Sequence, residues 1–187
     1  MKKLFLAGAL ALFGLSNAQI QEGNWMVGGQ VADMKFTNGV NISLTPQVGY
    51  FIKDNWAVGG QLGLDIFKAK GASGTQTDWT LGAFTRYYFG PNEIDSLLKN
   101  GRFFTQGNVG FGGDNSSSSS STNGVNLGIG AGYAYFLTPN VSLEGLLGVD
   151  TFVGGGSSSG KANVNLGVGF QIYLPSAKAK QVLKDNQ

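Results

Sequence analysis

Histidine and cysteine are both missing from this 187-residue chain, which removes most of the usual routes to catalysis. An imidazole is the common general base and the middle member of most nucleophilic triads, so chemistry of that kind has no proton carrier here. Without a thiol there is no thiolate nucleophile, no disulfide and no sulfur-rich metal site. A lysine-activated serine or a pair of carboxylates would still be able to work, but each requires a partner held at a fixed spacing. No stretch of the sequence supplies such a constellation, so neither an enzyme nor a cofactor or metal site is expected.

The charges that stand out are those set within alternating apolar stretches: Asp65, Asp78, Arg86, Glu144 and Asp150. Arg86 and Glu144 would fall near the same end of their stretches, close enough to pair across a narrow space. Asp65, Asp78 and Asp150 would collect at the other end, with Lys68, Lys70 and Lys161 in adjoining loops. Such a set can act as a gate with an acidic, cation-attracting mouth. It can also be a group of buried charges that compensate one another. The choice between them depends on what holds them.

Strands hold them. From Ala162 to Leu174 the apolar residues Val164, Leu166, Val168, Phe170, Ile172 and Leu174 alternate with Asn163, Asn165, Gly167, Gly169, Gln171 and Tyr173. Alternate side chains on a strand face opposite ways, so one face is oily and the other polar or empty. The segment is longer than the ~9 to 11 residues with which a tilted strand crosses a bilayer. The pattern is expected seven more times, over 24–36, 40–51, 56–67, 77–89, 102–112, 123–136 and 141–152. Turns are expected at 37–39, 53–55 and 137–140, and longer loops at 68–76, 113–122 (nearly all serine) and 153–161. Pro46 is a blemish in the second strand, since it lacks a ladder donor. Residues 92–100, with Ile94, Leu97 and Leu98 at helical spacing, read as a one-to-two-turn cap.

An internal repeat fixes the phase. Asn24-Trp25-Met26-Val27-Gly28-Gly29-Gln30 returns as Asn55-Trp56-Ala57-Val58-Gly59-Gly60-Gln61, one strand pair later. The match fails where Asp33 and Lys35 stand against Leu64 and Ile66, so the far end of the first strand lies outside the apolar band, is bulged, or is out of phase. Ahead of the repeat, Lys2 and Lys3, the apolar run Leu4 to Leu15 and Ser16-Asn17-Ala18 form a secretory signal peptide pattern, with cleavage expected after Ala18. The organisation that follows is a signal over 1–18, a barrel domain over 19–174 and a tail over 175–187. Without Lys2 and Lys3 the basic residues fall from 13 to 11 and equal the 11 acidic ones, so no basic field for nucleic acid remains.

Eight such strands can close into an all-β, antiparallel, up-and-down barrel. A soluble lipocalin-like barrel would keep the oily face inside, whereas a membrane barrel turns it outward. Here the polar face is Asn, Gln, Ser, Thr, charged residues and glycine, which cannot form an oily cup. The aromatics fall at strand ends: Trp25, Tyr50, Trp56, Tyr87, Phe89, Phe103, Tyr133, Tyr135 and the Phe170 to Tyr173 segment at one end, Phe36, Phe67, Trp79, Phe111 and Phe152 at the other. Two such rings fit the girdles of a membrane barrel. Because eight strands enclose room only for side chains, compensating charges in a filled lumen are the preferred reading of Arg86 and Glu144.

The chain from Asn24 to Leu174 resembles the small eight-stranded bacterial outer-membrane barrels, of the outer membrane protein A transmembrane domain and outer membrane protein X type. Its most specific likeness is Asn165-Leu166-Gly167-Val168-Gly169-Phe170-Gln171-Ile172, similar to the last-strand signal read by the barrel-assembly machinery, with Asn165, Gly167, Phe170 and Ile172 at the motif positions. The resemblance implies a monomer in the outer membrane of a Gram-negative envelope, in contact with lipid and lipopolysaccharide. It also implies delivery by periplasmic chaperones, termini in the periplasm, and a structural or surface-interaction role. A narrow porin-like channel is the alternative.

Overall fold

The computed structural model describes residues 20–35, 39–69, 76–90, 100–115, 123–154 and 162–176. It contains eight strands: β1 Trp25–Lys35, β2 Gly39–Lys53, β3 Trp56–Ala69, β4 Gln76–Tyr88, β5 Gly101–Asn115, β6 Asn123–Thr138, β7 Val141–Gly154 and β8 Ala162–Leu174. Each pairs antiparallel with its neighbour in sequence, and β1 pairs with β8, so the sheet is a closed barrel. Closure leaves no unpaired strand edge.

The register sets the bore. Trp25 pairs with Tyr50, Tyr50 with Val58, Val58 with Thr85, Thr85 with Gly107, Gly107 with Ile129, Ile129 with Val149, and Val149 with Val164. Across the closing seam, however, Trp25 pairs with Leu174, a stagger of ten residues along β8. With a rise of about 3.3 Å and strands ~4.8 Å apart, that stagger tilts the strands by roughly 40° and gives a backbone radius of about 8 Å. A lumen that narrow is filled by side chains from opposite walls.

The oily positions face out. Leu81, Ile129, Leu147, Val164, Leu166 and Val168 are among the most exposed large apolar side chains, while their polar neighbours turn inward. Three details of the strands depart from or sharpen the expected bounds. The β1–β2 ladder shifts register between Ala32 and Lys35, so of the three explanations for the broken repeat the bulge is the one observed. The β2–β3 ladder pairs Leu44 with Leu64 and resumes in the same register at Gln47 with Gln61, skipping Thr45 and Pro46, as a residue without a donor requires. Residues 113–115 continue β5 instead of starting the serine loop: Gly113 pairs with Trp79, Asp114 with Asp78 and Asn115 with Thr77. Main-chain pairing outruns the apolar pattern there because the ladder needs no oily side chain. The expected cap over 92–100 and most of the three long loops lie outside the described residues; of the cap only Asn100 is described, a turn whose carbonyl accepts the Phe136 N–H at 2.7 Å.

At the end where β1 begins and β8 finishes, the terminal end, residues 20–24 cross the barrel mouth before entering β1. The Gly23 N–H donates to the Phe51 carbonyl at 2.9 Å and the Asn55 N–H to the Ile20 carbonyl at 2.8 Å. The Ser176 N–H donates to Asn24 Oδ1 at 2.9 Å, tying the exit of β8 to the entry of β1.

Candidate functional site

The inward positions nearest the termini build a floor. Met26, Phe51, Ala57, Tyr88, Phe104, Ala134 and Tyr173 have no exposed surface. They come from seven strands, every one but β7, and their rings stack obliquely: Tyr88 with Phe104 at 5.5 Å between centroids, Phe136 with Tyr173 at 5.4 Å, and Phe51 with Tyr88 at 6.0 Å. Small neighbours make the space. A Cβ on Gly132 would run into the Phe104 ring, which is the steric reason for glycine on the inner face of β6.

Arg86 and Glu144 meet directly above this floor. Arg86 Nη1 donates to Glu144 Oε2 at 2.7 Å, and both side chains are shut off from solvent. The remaining groups are bonded in turn: Arg86 Nε donates to Gln106 Oε1 at 2.8 Å and Nη1 to Tyr88 Oη at 3.0 Å. Glu144 Oε1 accepts from Ser142 Oγ at 3.1 Å and Tyr173 Oη at 3.2 Å. The guanidinium lies over the Phe104 ring, 4.2 Å from its centroid. These bonds, made by Nε and Nη1 of the guanidinium and by both carboxylate oxygens, offset much of the cost of burying two charges, while Arg86 Nη2 is buried without a hydrogen-bond partner. Chemically the cluster holds a charge pair rigidly and presents no nucleophile beside a free base.

The three aspartates do not join that pair. Asp65 and Asp78 are cross-strand partners at the far end of β3 and β4, and Asp65 accepts from Ser43 Oγ. Asp150 accepts from Asn165 Nδ2 on β8. Asp65 and Asp150 line one polar cavity of about 300 Å³ above the Arg86 layer, with Gln30, Gln61, Asn108 and Asn165. The five charged residues thus form two separate groups along the lumen. Lys70 and Lys161 lie outside the described residues, as does the side chain of Lys68. A larger hollow of about 1040 Å³ is an open trough on the outer face beside Val58, Ala83, Val109, Leu127 and Ile129, apart from the lumen. Among the described residues no group of three or more His, Cys, Asp or Glu side chains is placed to hold a metal.

The strand-end aromatics divide by facing. Trp25, Tyr50, Trp56, Trp79, Phe103, Tyr135 and Phe170 are exposed on the outer surface. They pair locally: Trp25 with Tyr50 at 5.1 Å, Phe103 with Tyr133 at 5.1 Å and Tyr87 with Phe89 at 5.6 Å. Trp56 Nε1 donates to Thr85 Oγ1 at 2.7 Å. Two residues expected in the rings point the other way. Tyr173 is in the lumen floor, and the Phe152 ring lies against the inner-face glycines Gly124 and Gly154. Height along the strand groups both with the rings, whereas alternation, which sets Tyr173 beside Gln171 on the polar face from sequence alone, puts Phe152 with Asp150. Phe36 lies outside the described residues and the Phe67 side chain is not described.

In the last strand, Asn165 and Gly167 face the lumen while Phe170 and Ile172 are exposed outside, so the expected assembly motif spans both faces. The partners of the charge pair, Gln106, Ser142, Tyr88 and Tyr173, were not singled out from sequence. Their signal was present as aromatic and polar residues of the inner phase crowded toward one end of each strand.

A family model described as the outer membrane protein beta-barrel domain matches residues 53–179. The N-terminal β-barrel domain of OprF from Pseudomonas aeruginosa is similar in structure, with a TM-score of 0.56 and 16% identity over 82% of this chain and 98% of that one. Neisserial surface protein A is similar with a TM-score of 0.51 and 18% identity, over 80% of this chain and 94% of that one. At these identities the likeness is one of fold. No curated protein matches in sequence.

Proposed function

This chain belongs to the outer membrane protein β-barrel domain family, and we propose that within the outer membrane it serves a structural or surface-interaction role with its lumen closed by its own side chains. The observation that carries the reading is the floor beneath Arg86 and Glu144, where Phe51, Tyr88, Phe104 and Tyr173 have no exposed surface and share one network of rings and hydroxyl groups. A continuous aqueous path would have to part both the ion pair and those rings.

Both termini then lie on the periplasmic side, since eight strands return the chain to the side on which it entered. Signal removal after Ala18, handling by periplasmic chaperones and the assembly machinery, and a monomer surrounded by lipid and lipopolysaccharide complete the reading. It includes no catalytic step. A narrow conduit is the rival, favoured by the polar cavity beside Asp65 and Asp150. Planar-bilayer recording of the purified protein tests the two. The closed reading expects no reproducible unitary conductance; conductance that changes on Arg86→Ala or Glu144→Ala overturns it.

A further inference from the structure

The terminal mouth of the barrel is occupied by the chain itself. Ile20 is only 5% exposed and packs in the same apolar cluster as Met26, Phe51, Ala57 and Tyr173. It is not a strand residue, and no sheet pairing places it there. What holds it is a set of bonds to the β2–β3 turn and its flanks: the Asn55 N–H to the Ile20 carbonyl at 2.8 Å, the Glu22 N–H to Asp54 Oδ1 at 2.9 Å, and the Gly23 N–H to the Phe51 carbonyl at 2.9 Å. Gly23 has φ of +89°, a conformation in which a side chain would be strained, and this folds the segment back across the mouth before Asn24 enters β1. The Asn24 carbonyl accepts the Phe51 N–H at 2.9 Å, so Gly23 and Asn24 together clasp Phe51 from both sides.

We propose that the terminal mouth is a binding site whose ligand is the chain's own segment Ile20–Asn24, a strap that inserts one apolar side chain into the aromatic floor and seals it from the aqueous side. The mouth supplies three things such a segment requires: an apolar recess, the two main-chain groups of Phe51, and a carboxylate at Asp54 that takes an otherwise unpaired N–H. Cleavage after Ala18 would make Ile20 the second residue of the mature chain, leaving the strap one free end. Four hydrogen bonds to Phe51 and the β2–β3 turn, one from the Ser176 N–H to Asn24 Oδ1, and the buried Ile20 and Asn24 side chains hold it, with no ladder on a second side as every strand has, so it is the element of the seal most able to lift. The inference rests on the reading of a filled lumen but assigns the outermost layer of that filling to a detachable segment.

The native absence of cysteine makes a direct test available. Ala57→Cys places a single thiol in the floor at a fully buried position. With the strap intact, the folded protein in detergent is expected to react slowly with a water-soluble maleimide. Adding Ile20→Asp, or removing residues 19–22, should raise the labelling rate by about tenfold or more, and Ile20→Ala should give an intermediate rate while preserving the fold. Equal slow rates in all the folded variants would overturn the strap. A second thiol at Leu146→Cys, above the floor beside the polar cavity, separates this from failure of the filled-lumen reading. If Ala57→Cys labels as fast as Leu146→Cys with the strap intact, the floor itself is open and both ideas fall. If only the strap variants label at Ala57→Cys, the strap stands.

Discussion

Arg86 on β4 and Glu144 on β7 meet at 2.7 Å inside the lumen, linking two strands that share no ladder. The bond crosses the bore and leaves neither charge exposed, so its value depends on both partners being present. Glu144→Gln or Arg86→Met alone should destabilise the folded barrel by about 3 to 5 kcal/mol, because each strands a buried charge. The double substitution Arg86→Met with Glu144→Leu should recover a large part of the loss. Urea unfolding in lipid, read by tryptophan fluorescence, checks both; a double variant as unstable as the worse single one would contradict the pairing.

Tyr173 is expected to matter through its hydroxyl as well as its ring. That oxygen lies 3.0 Å from Tyr88 Oη, 3.2 Å from Ser142 Oγ and 3.2 Å from Glu144 Oε1. Tyr173→Phe keeps the ring and removes a hydrogen bond to a carboxylate, a loss of roughly 1.5 to 3 kcal/mol. Tyr173→Ala should cost more, as it also opens a cavity in the floor. The two midpoints in the same denaturant series give the comparison.

On the outer surface, Ile129 is 71% exposed and has Val149 and Gly107 as ladder partners. A charge there meets hydrocarbon. Ile129→Lys should cost about 2 to 4 kcal/mol if the position is near the bilayer midplane, whereas Val164→Lys toward the loop end should cost about 0 to 1. Unfolding titrations of the two variants in the same lipid vesicles measure the difference.

Near the terminal end, Trp56 Nε1 donates to Thr85 Oγ1 at 2.7 Å across the β3–β4 ladder. Thr85→Val retains the shape and deletes the acceptor. A loss of roughly 1 kcal/mol is expected, and Thr85→Ser should restore most of it. The indole emission maximum, followed with the unfolding midpoint, reports whether the ring has moved toward water.

Much of this architecture was legible because a strand in a small membrane barrel states its orientation twice, once by an oily residue outside and once by a polar or glycine residue inside. Leu127 against Asn126 and Val168 against Gly167 are enough to phase β6 and β8, and the Asn24 and Asn55 repeats phase β1 and β3. The opposed positions of Arg86 and Glu144 followed from the same count. Alternation sets Tyr173 with Gln171 on the polar face and the structure keeps it there, so what fails is grouping Tyr173 and Phe152 with the rings by height, because alternation decides facing more strongly than height does. The partners of the charge pair were not legible, since which inner-phase side chains touch across the bore depends on the ten-residue stagger, and stagger is set by pairing at the seam of β1 and β8. Ile20 carried no signal at all: a lone apolar residue in a polar lead has no period.

Spin labels placed one at a time along Val125, Asn126, Leu127, Gly128 and Ile129 of β6, in a protein with no native cysteine, test most directly whether the oily face meets lipid and the lumen is filled. In lipid vesicles, collision with dissolved oxygen should be high at Val125, Leu127 and Ile129 and low at Asn126 and Gly128, with a period of two. The opposite phase, or high accessibility of a label at Ala134 in the floor of the same strand to a water-soluble nickel reagent, would contradict it.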